Sequence, residues 1–355
     1  MSAEQPTLAT LGGSPSSTSK LDRRGASPEG VPLLEVQDLH VRFHREGGQV
    51  LAVNGLSYRI SAGTTLAIIG ESGSGKTVSA RAVMGLLPET ATVAGSIRFE
   101  GQELVGLPEE ELRRRRGSDV AMIFQDPSRS LNPTMRVGVQ VAEAIRAHLP
   151  LGRREARERA IELLRMVRLP SPERRYLQYP HQLSGGMRQR VMIAIALACY
   201  PKLLIADEPT TALDVTTQAQ IMELLLELQG QLAMGLILIS HDLGLAASYA
   251  DEVIVMYAGQ VVERAPTREL FAHVRMPYTR ALLDAVPRLE RPAHSLLPIV
   301  EGQPPDLSRL PIGCPFAPRC PRADDACRQA PPLEEHEPGH WWACWHPHRD
   351  DGGER

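Results

Sequence analysis

An α/β fold, with a mostly parallel sheet and helices on both faces, is predicted by three observations. Short apolar runs alternate with stretches of helical periodicity through most of the chain. One run, 65–69, is apolar enough for a strand buried on both faces, as parallel strands are. A Gly-rich loop follows it directly and leads into a helix-like stretch, the arrangement found where ligands bind at strand ends.

The elements follow in order. Residues 34–43 and 51–60 alternate in the manner of antiparallel strands, and 65–69 is the buried parallel one. Further strands are expected at 96–100 and 120–125. Between about 137 and 180 the period becomes helical, with 137–148 and 153–167 carrying apolar residues three and four apart. After Ser184 come a helix, the strand 203–206, a helix at 216–232, the strand 236–240, a short helix at 243–250, and strands at 252–257 and 260–263. Residues 1–31 are rich in Ser, Gly, Pro and Thr and read as a disordered tail. From about 265 prolines multiply and cysteines appear, which marks a separate C-terminal unit over 266–347, with a short tail at 348–355. There is no internal repeat.

Composition narrows the function. A formal charge of −3 argues against a general nucleic-acid-binding surface. No apolar run approaches the roughly twenty residues of a membrane span, and the N-terminus lacks the basic-then-apolar pattern of a secretory signal. A soluble, intracellular protein is expected, reaching any membrane through other subunits. The basic residues are almost all arginine; lysine occurs only at Lys20, Lys76 and Lys202.

Lys76 lies in Gly70-Glu-Ser-Gly-Ser-Gly-Lys-Thr77, the P-loop pattern. Gly73 and Gly75 let the backbone turn tightly, so that the amides around Ser72 and Ser74 face phosphate oxygens at the start of a helix. Lys76 would reach the β- and γ-phosphates, and Thr77 would offer its hydroxyl to Mg²⁺. A second constellation, Leu203-Leu-Ile-Ala-Asp-Glu-Pro209, sets two carboxylates at the end of an apolar strand. There Asp207 would hold Mg²⁺ and Glu208 would polarise the attacking water. A third, Leu183-Ser-Gly-Gly-Met187, is a helix start that Ser184 can cap and whose Gly185 and Gly186 admit a phosphate.

Taken together over about 33–265, these motifs resemble the nucleotide-binding subunits of ABC transporters. They stand in the family's order: Walker A at 70–77, a glutamine loop at Gln125, the signature at 183–187, Walker B at 203–208, Leu213-Asp214 in the D-loop, and a switch histidine at His241. The signature ends in Met187 where many relatives have Gln, but Ser184, Gly185 and Gly186 are intact. The resemblance implies a P-loop ABC-ATPase fold over 32–265, with an antiparallel β subdomain and a helical subdomain at about 128–185. It implies that Phe43 stacks on adenine, Gln125 touches Mg²⁺ or the attacking water, His241 binds the γ-phosphate, and Asp214 acts across a dimer. Two subunits would sandwich two ATP molecules head-to-tail, Ser184 and the Gly185–Gly186 amides completing the partner's site, and hydrolysis would reopen the pair.

The run Pro277-Tyr-Thr-Arg-Ala-Leu-Leu-Asp-Ala-Val-Pro287 and the segment Gly313-Cys-Pro-Phe-Ala-Pro-Arg-Cys320 look like the C-terminal extension of oligopeptide, dipeptide and nickel importer ATPases. That likeness implies a D-type subunit working with a related second ATPase, two membrane permeases and an extracytoplasmic binding protein, at the cytoplasmic face of the membrane. Peptides are the leading cargo, with nickel or other small solutes as alternatives. A non-transport ABC ATPase is the rival class, but such proteins carry paired nucleotide domains or long coiled coils that this chain lacks.

Cys199 reads as a small buried apolar residue. Cys314, Cys320, Cys327 and Cys344 are separated by five, six and sixteen residues. No pair has the two-to-four-residue knuckle of common zinc sites, and disulfides are disfavoured in a reducing compartment. Iron–sulfur ligation, zinc and no metal all remain open on spacing alone. Resemblance to the importer group implies a 4Fe–4S cluster, with zinc as the alternative, in a structural or docking role beyond the ATPase core.

Overall fold

The structure, a computed structural model, describes residues 31–45, 48–211, 213–286 and 300–348. Apart from Val31 and His348, the two expected tails lie outside these residues. Strands β1 (Leu34–Arg45) and β2 (Gly48–Ile60) pair antiparallel, followed by β3 (Thr65–Ile69) and helix α1 (Lys76–Val83). Then come β4 (Ala91–Phe99), β5 (Gln102–Glu103), α2 (Glu109–Arg115) and β6 (Val120–Ile123). The helical region holds α3 (Pro127–Ser130), α4 (Val137–His148), α5 (Arg153–Met166), α6 (Pro172–Tyr176) and α7 (Gly185–Ala196). The chain returns to the sheet with β7 (Leu203–Asp207), α8 (Val215–Leu232), β8 (Gly235–Ser240), α9 (Leu243–Tyr249), β9 (Glu252–Tyr257) and β10 (Gln260–Pro266). Helices α10 (Thr267–Ala272) and α11 (Pro277–Asp284) and the hairpin β11 (Glu334–Glu337) and β12 (His340–Trp342) complete it.

Two sheets result. A four-stranded antiparallel sheet has the order β2-β1-β4-β5, and an eight-stranded sheet the order β11-β12-β10-β9-β3-β8-β7-β6. Within the larger one, β9, β3, β8, β7 and β6 run parallel, while β10, β12 and β11 form an antiparallel edge. All residues of β3, β7 and β8 are buried. Successive side chains leave a strand on opposite faces, so one strand feeds two cores. Ala206, Leu236 and Leu238 pack with Val141, Ile145 and Leu163 of the helical region. Ile205, Ile237 and Ile239 instead pack with Leu39, Val53 and Phe99 of the antiparallel sheet. A third cluster joins Ala67, Ile69, Val253 and Val255 to Tyr278, Cys314, Phe316 and Cys327.

The C-terminal segment packs on the larger sheet: β10 runs through Pro266, and Glu263 and Arg264 pair with Trp342 and Trp341 of β12. The hairpin thereby extends the eight-stranded sheet itself. Differences from the expected elements are local. Strand β6 ends at Ile123 rather than 125, which frees Gln125 from the ladder. β4 begins at Ala91, ahead of 96, because its first residues are small and carry little strand signal. Helix α2, Glu-Glu-Glu-Leu-Arg-Arg-Arg, buries no residue and so shows no apolar period. Acidic residues in its first turn, basic ones in its last, and the Arg114–Glu110 pair at 2.6 Å support it instead.

Candidate nucleotide site

The loop after β3 takes its shape from glycine. Gly75, at the start of α1, has φ 101°, and a Cβ there would lie 2.4 Å from the Ala52 carbonyl oxygen. A Cβ at Gly70 would meet the Met256 carbonyl oxygen at 2.2 Å. Lys76, the first helical residue, is buried, and its Nζ donates to the carbonyls of Gly70 at 2.7 Å and Glu71 at 2.9 Å. Burial lowers the ammonium's pKa, while the carboxylates of Glu208, Asp207 and Glu71 pull it back up. The ammonium is therefore held inside the loop by groups that a phosphate can replace.

Next to it, Thr77 Oγ1 donates to Asp207 Oδ1 at 2.9 Å. Asp207 closes β7 and is 3 % exposed; burial pushes its carboxyl pKa up, against the opposing pull of the Thr77 hydrogen bond. A hydroxyl and a desolvated carboxylate side by side are the oxygen donors that Mg²⁺ accepts beside phosphates. These two residues fit the ion.

Glu208, one residue on, has φ 47°, a region that side-chain-bearing residues seldom enter. Gln125 Nε2 donates to Glu208 Oε2 at 2.8 Å and Thr211 Oγ1 donates to the same oxygen at 3.0 Å. His241 Nδ1 stands 3.4 Å from it. Residues from the end of β6, the end of β7 and the end of β8 thus meet at one carboxylate. Gln125, Glu208 and His241 were all readable from sequence; Thr211 was not, since a threonine in a turn carries no signal of its own.

The signature residues stand apart from this group. Ser184 caps α7 by accepting from Met187 N at 3.3 Å, and Asp214 caps α8 by accepting from Thr217 N at 2.9 Å. Neither hydrogen-bonds a Walker residue among the described residues. A Cβ at Gly186 would lie 2.6 Å from Thr217 Cγ2, so glycine there also lets α7 and α8 approach within one chain. Phe43, on β1, is half-buried against the core of the antiparallel sheet and pairs in register with Val50 and Ala91.

Cys314, Cys320, Cys327 and Cys344 line one small cavity with Met276, Phe316 and Trp345. Burial raises the thiol pKa of Cys314 and Cys320 and pushes Cys344 up to about 11. Cys199, by contrast, is buried after α7 in the helical core.

Nothing in the sequence announced a further contact at the loop. Arg319, one residue before Cys320, pairs with Glu71 of the P-loop, Nη1 to Oε2 at 2.6 Å and Nη2 to Oε1 at 2.9 Å. The Glu71 amide donates to the Tyr278 hydroxyl at 2.9 Å.

A triphosphate-binding loop, two magnesium-type oxygens and an oriented carboxylate at adjacent strand ends define a P-loop ATPase. Comparison with known proteins agrees. The "ABC transporter" family matches residues 53–211, and the "Oligopeptide/dipeptide transporter, C-terminal region" family matches 262–327. The oligopeptide transport ATP-binding protein OppD of Salmonella typhimurium is 52 % identical over 315 residues, covering 89 % of this chain and 94 % of its own. The dipeptide transport ATP-binding protein DppD of Bacillus subtilis is 48 % identical over 316 residues, covering 88 % and 94 %. Among solved structures, the dimeric post-hydrolysis ATP-binding cassette MJ0796 with ADP and Pi matches with TM-score 0.60 at 28 % identity, covering 66 % of this chain and 99 % of that one. The chain belongs to the ABC transporter ATP-binding family, within its oligopeptide/dipeptide group. No described helix is long and apolar enough to cross a membrane.

Proposed function

We propose that this chain is the ATP-hydrolysing subunit of a peptide importer, held at the membrane by permease subunits. The observation that carries the reading is the convergence of Gln125, Thr211 and His241 on the Glu208 carboxylate, next along the chain from the Thr77–Asp207 pair. Glu208 is the general base that takes a proton from water as it attacks the γ-phosphate. Gln125 orients that water, His241 meets the γ-phosphate, Lys76 and the amides of Ser72 to Gly75 bind the β- and γ-phosphates, and Thr77 and Asp207 hold Mg²⁺, which neutralises charge on the phosphates. Phe43 stacks on adenine.

Ser184, Gly185 and Gly186 serve a second ATPase subunit rather than this chain's own site, with Asp214 at the same interface. The partner is a related ATPase; two permeases and an extracytoplasmic binding protein complete the importer, which places this subunit on the cytoplasmic face. Peptides are favoured as cargo over nickel because the similar proteins named above are oligopeptide and dipeptide transporters.

The four cysteines at 314, 320, 327 and 344 hold a 4Fe–4S cluster. Their shared apolar-walled cavity supports this. Zinc is the alternative for these four ligands.

The reading is tested with Glu208→Gln in the full complex. The substitution keeps the shape and removes the base, so nucleotide binding stays while hydrolysis at this site falls by at least ~100-fold. Undiminished turnover at both sites would exclude Glu208 as the base.

A further inference from the structure

Arg319 is a heavily committed cation in the C-terminal segment. Its side chain is 5 % exposed although it comes from a single 3₁₀ turn, Ala317–Arg319, 248 residues from Glu71. Both terminal nitrogens grip the Glu71 carboxylate, Nη1 also lies 3.3 Å from the Tyr257 hydroxyl, Nη2 donates to the Val300 carbonyl at 3.1 Å, and Nε to the Glu301 carbonyl at 2.8 Å. The guanidinium sits over the faces of Tyr257 and Phe316, 5.8 and 5.9 Å from their centroids. Those rings and Tyr278 pack on one another with centroids 4.5 to 5.3 Å apart, so the arginine rests on an aromatic platform built from β9, α11 and the cysteine-bearing segment. A fork fixed this way has one geometry available, and a lysine could not reproduce it.

What the fork holds is the second residue of the P-loop. The Glu71 carbonyl accepts from Lys76 Nζ, its amide donates to Tyr278, and its carboxylate goes to Arg319. The carboxylate also acts electrostatically on Lys76, so its position matters to the ammonium that meets phosphate. We propose that Arg319 is a positioning residue for ATP binding: it neutralises Glu71 and turns its carboxylate outward, so that Lys76 and the loop amides present themselves to phosphate without a competing anion. Without Arg319 the carboxylate repels the incoming phosphates and is free to swing to Lys76 Nζ. The segment that carries the cysteines is thereby part of the nucleotide site, and the effect operates with or without a metal in the cavity. This inference rests on the ATPase reading of the loop and on nothing assigned to the cysteines.

A double-mutant cycle on the full-length chain tests it, with a fluorescent ATP analogue for the dissociation constant and the assembled complex for KM and kcat. Arg319→Gln weakens nucleotide binding about tenfold, raising KM while kcat at saturating ATP stays within about twofold, because the groups around Glu208 are untouched. In a Glu71→Gln background the same Arg319→Gln costs less than about twofold, since no carboxylate remains to be compensated. Arg319→Lys, which keeps charge without the fork, falls between, and it carries the cycle if the Gln variant does not fold. An equal loss in both backgrounds would show that Arg319 acts through general packing and would overturn the proposal, as would unchanged affinity on Arg319→Gln. Should Arg319 couple to Glu71 as expected while Glu208→Gln keeps full turnover, the base assignment alone would fall.

Discussion

Glu263 offers a sharp test of how the C-terminal hairpin is bound to the ATPase sheet. It lies in β10, is fully buried, and accepts from Arg275 N at 2.7 Å and His340 Nε2 at 3.0 Å on one oxygen, and from Met276 N at 3.2 Å on the other. Glu263→Ala leaves three buried donors without that acceptor. At about 1–3 kcal/mol for each donor stranded, less what entering water returns, the loss is roughly 3 kcal/mol. Glu263→Gln, with its oxygen towards Arg275 and His340, loses only the longest bond and sets its NH₂ against Met276 N–H, costing about 1 kcal/mol. The assay is built into the chain, for its three tryptophans are Trp341, Trp342 and Trp345, all in or beside the hairpin. Urea titration followed by tryptophan fluorescence therefore reports on this region. With m of about 2 kcal/mol per M, Glu263→Ala moves the midpoint down by roughly 1.5 M and Glu263→Gln by about a third of that. A midpoint for Glu263→Ala within about 0.2 M of the parent would refute the idea that this carboxylate anchors the hairpin.

Other outcomes can be checked in parallel. Asp207→Asn should stabilise the nucleotide-free protein: burial raises this carboxyl's pKa, so its charged form costs stability above that pKa, at neutral pH, and the amide escapes the cost. The gain should shrink as pH falls towards the raised pKa, and the same variant should lose Mg²⁺-dependent stabilisation by ATP; a lower melting temperature at pH 7 would contradict this. Ser184→Arg should leave nucleotide binding to this chain's own loop intact while cutting hydrolysis at the partner's loop; unchanged ATP-driven association would refute the cross-dimer role. Anaerobically prepared protein should be brown, with iron and acid-labile sulfide each near ~4 per chain. Ser at any of Cys314, Cys320, Cys327 or Cys344 should lose that colour and Cys199→Ser should keep it; one tightly held zinc in colourless protein would replace the cluster.

The sequence alone determined the parts of this protein whose chemistry is local. A P-loop is legible because glycine, lysine and threonine at fixed spacing are demanded by one bound phosphate chain. The carboxylates of Asp207 and Glu208 are legible because they end an apolar strand. Buried strands announced themselves for the same reason, and 65–69 and 252–257 were read to the residue. Tertiary structure alone decided what depends on meetings between distant segments. Thr211 at Glu208, Glu263 under His340, the hairpin on the sheet edge and Arg319 on Glu71 carry no periodic or motif signal. Arginine is this chain's commonest cation, so nothing in composition singles out one that is buried. Only folding, by bringing two charges into a site with little water, makes such a pair matter.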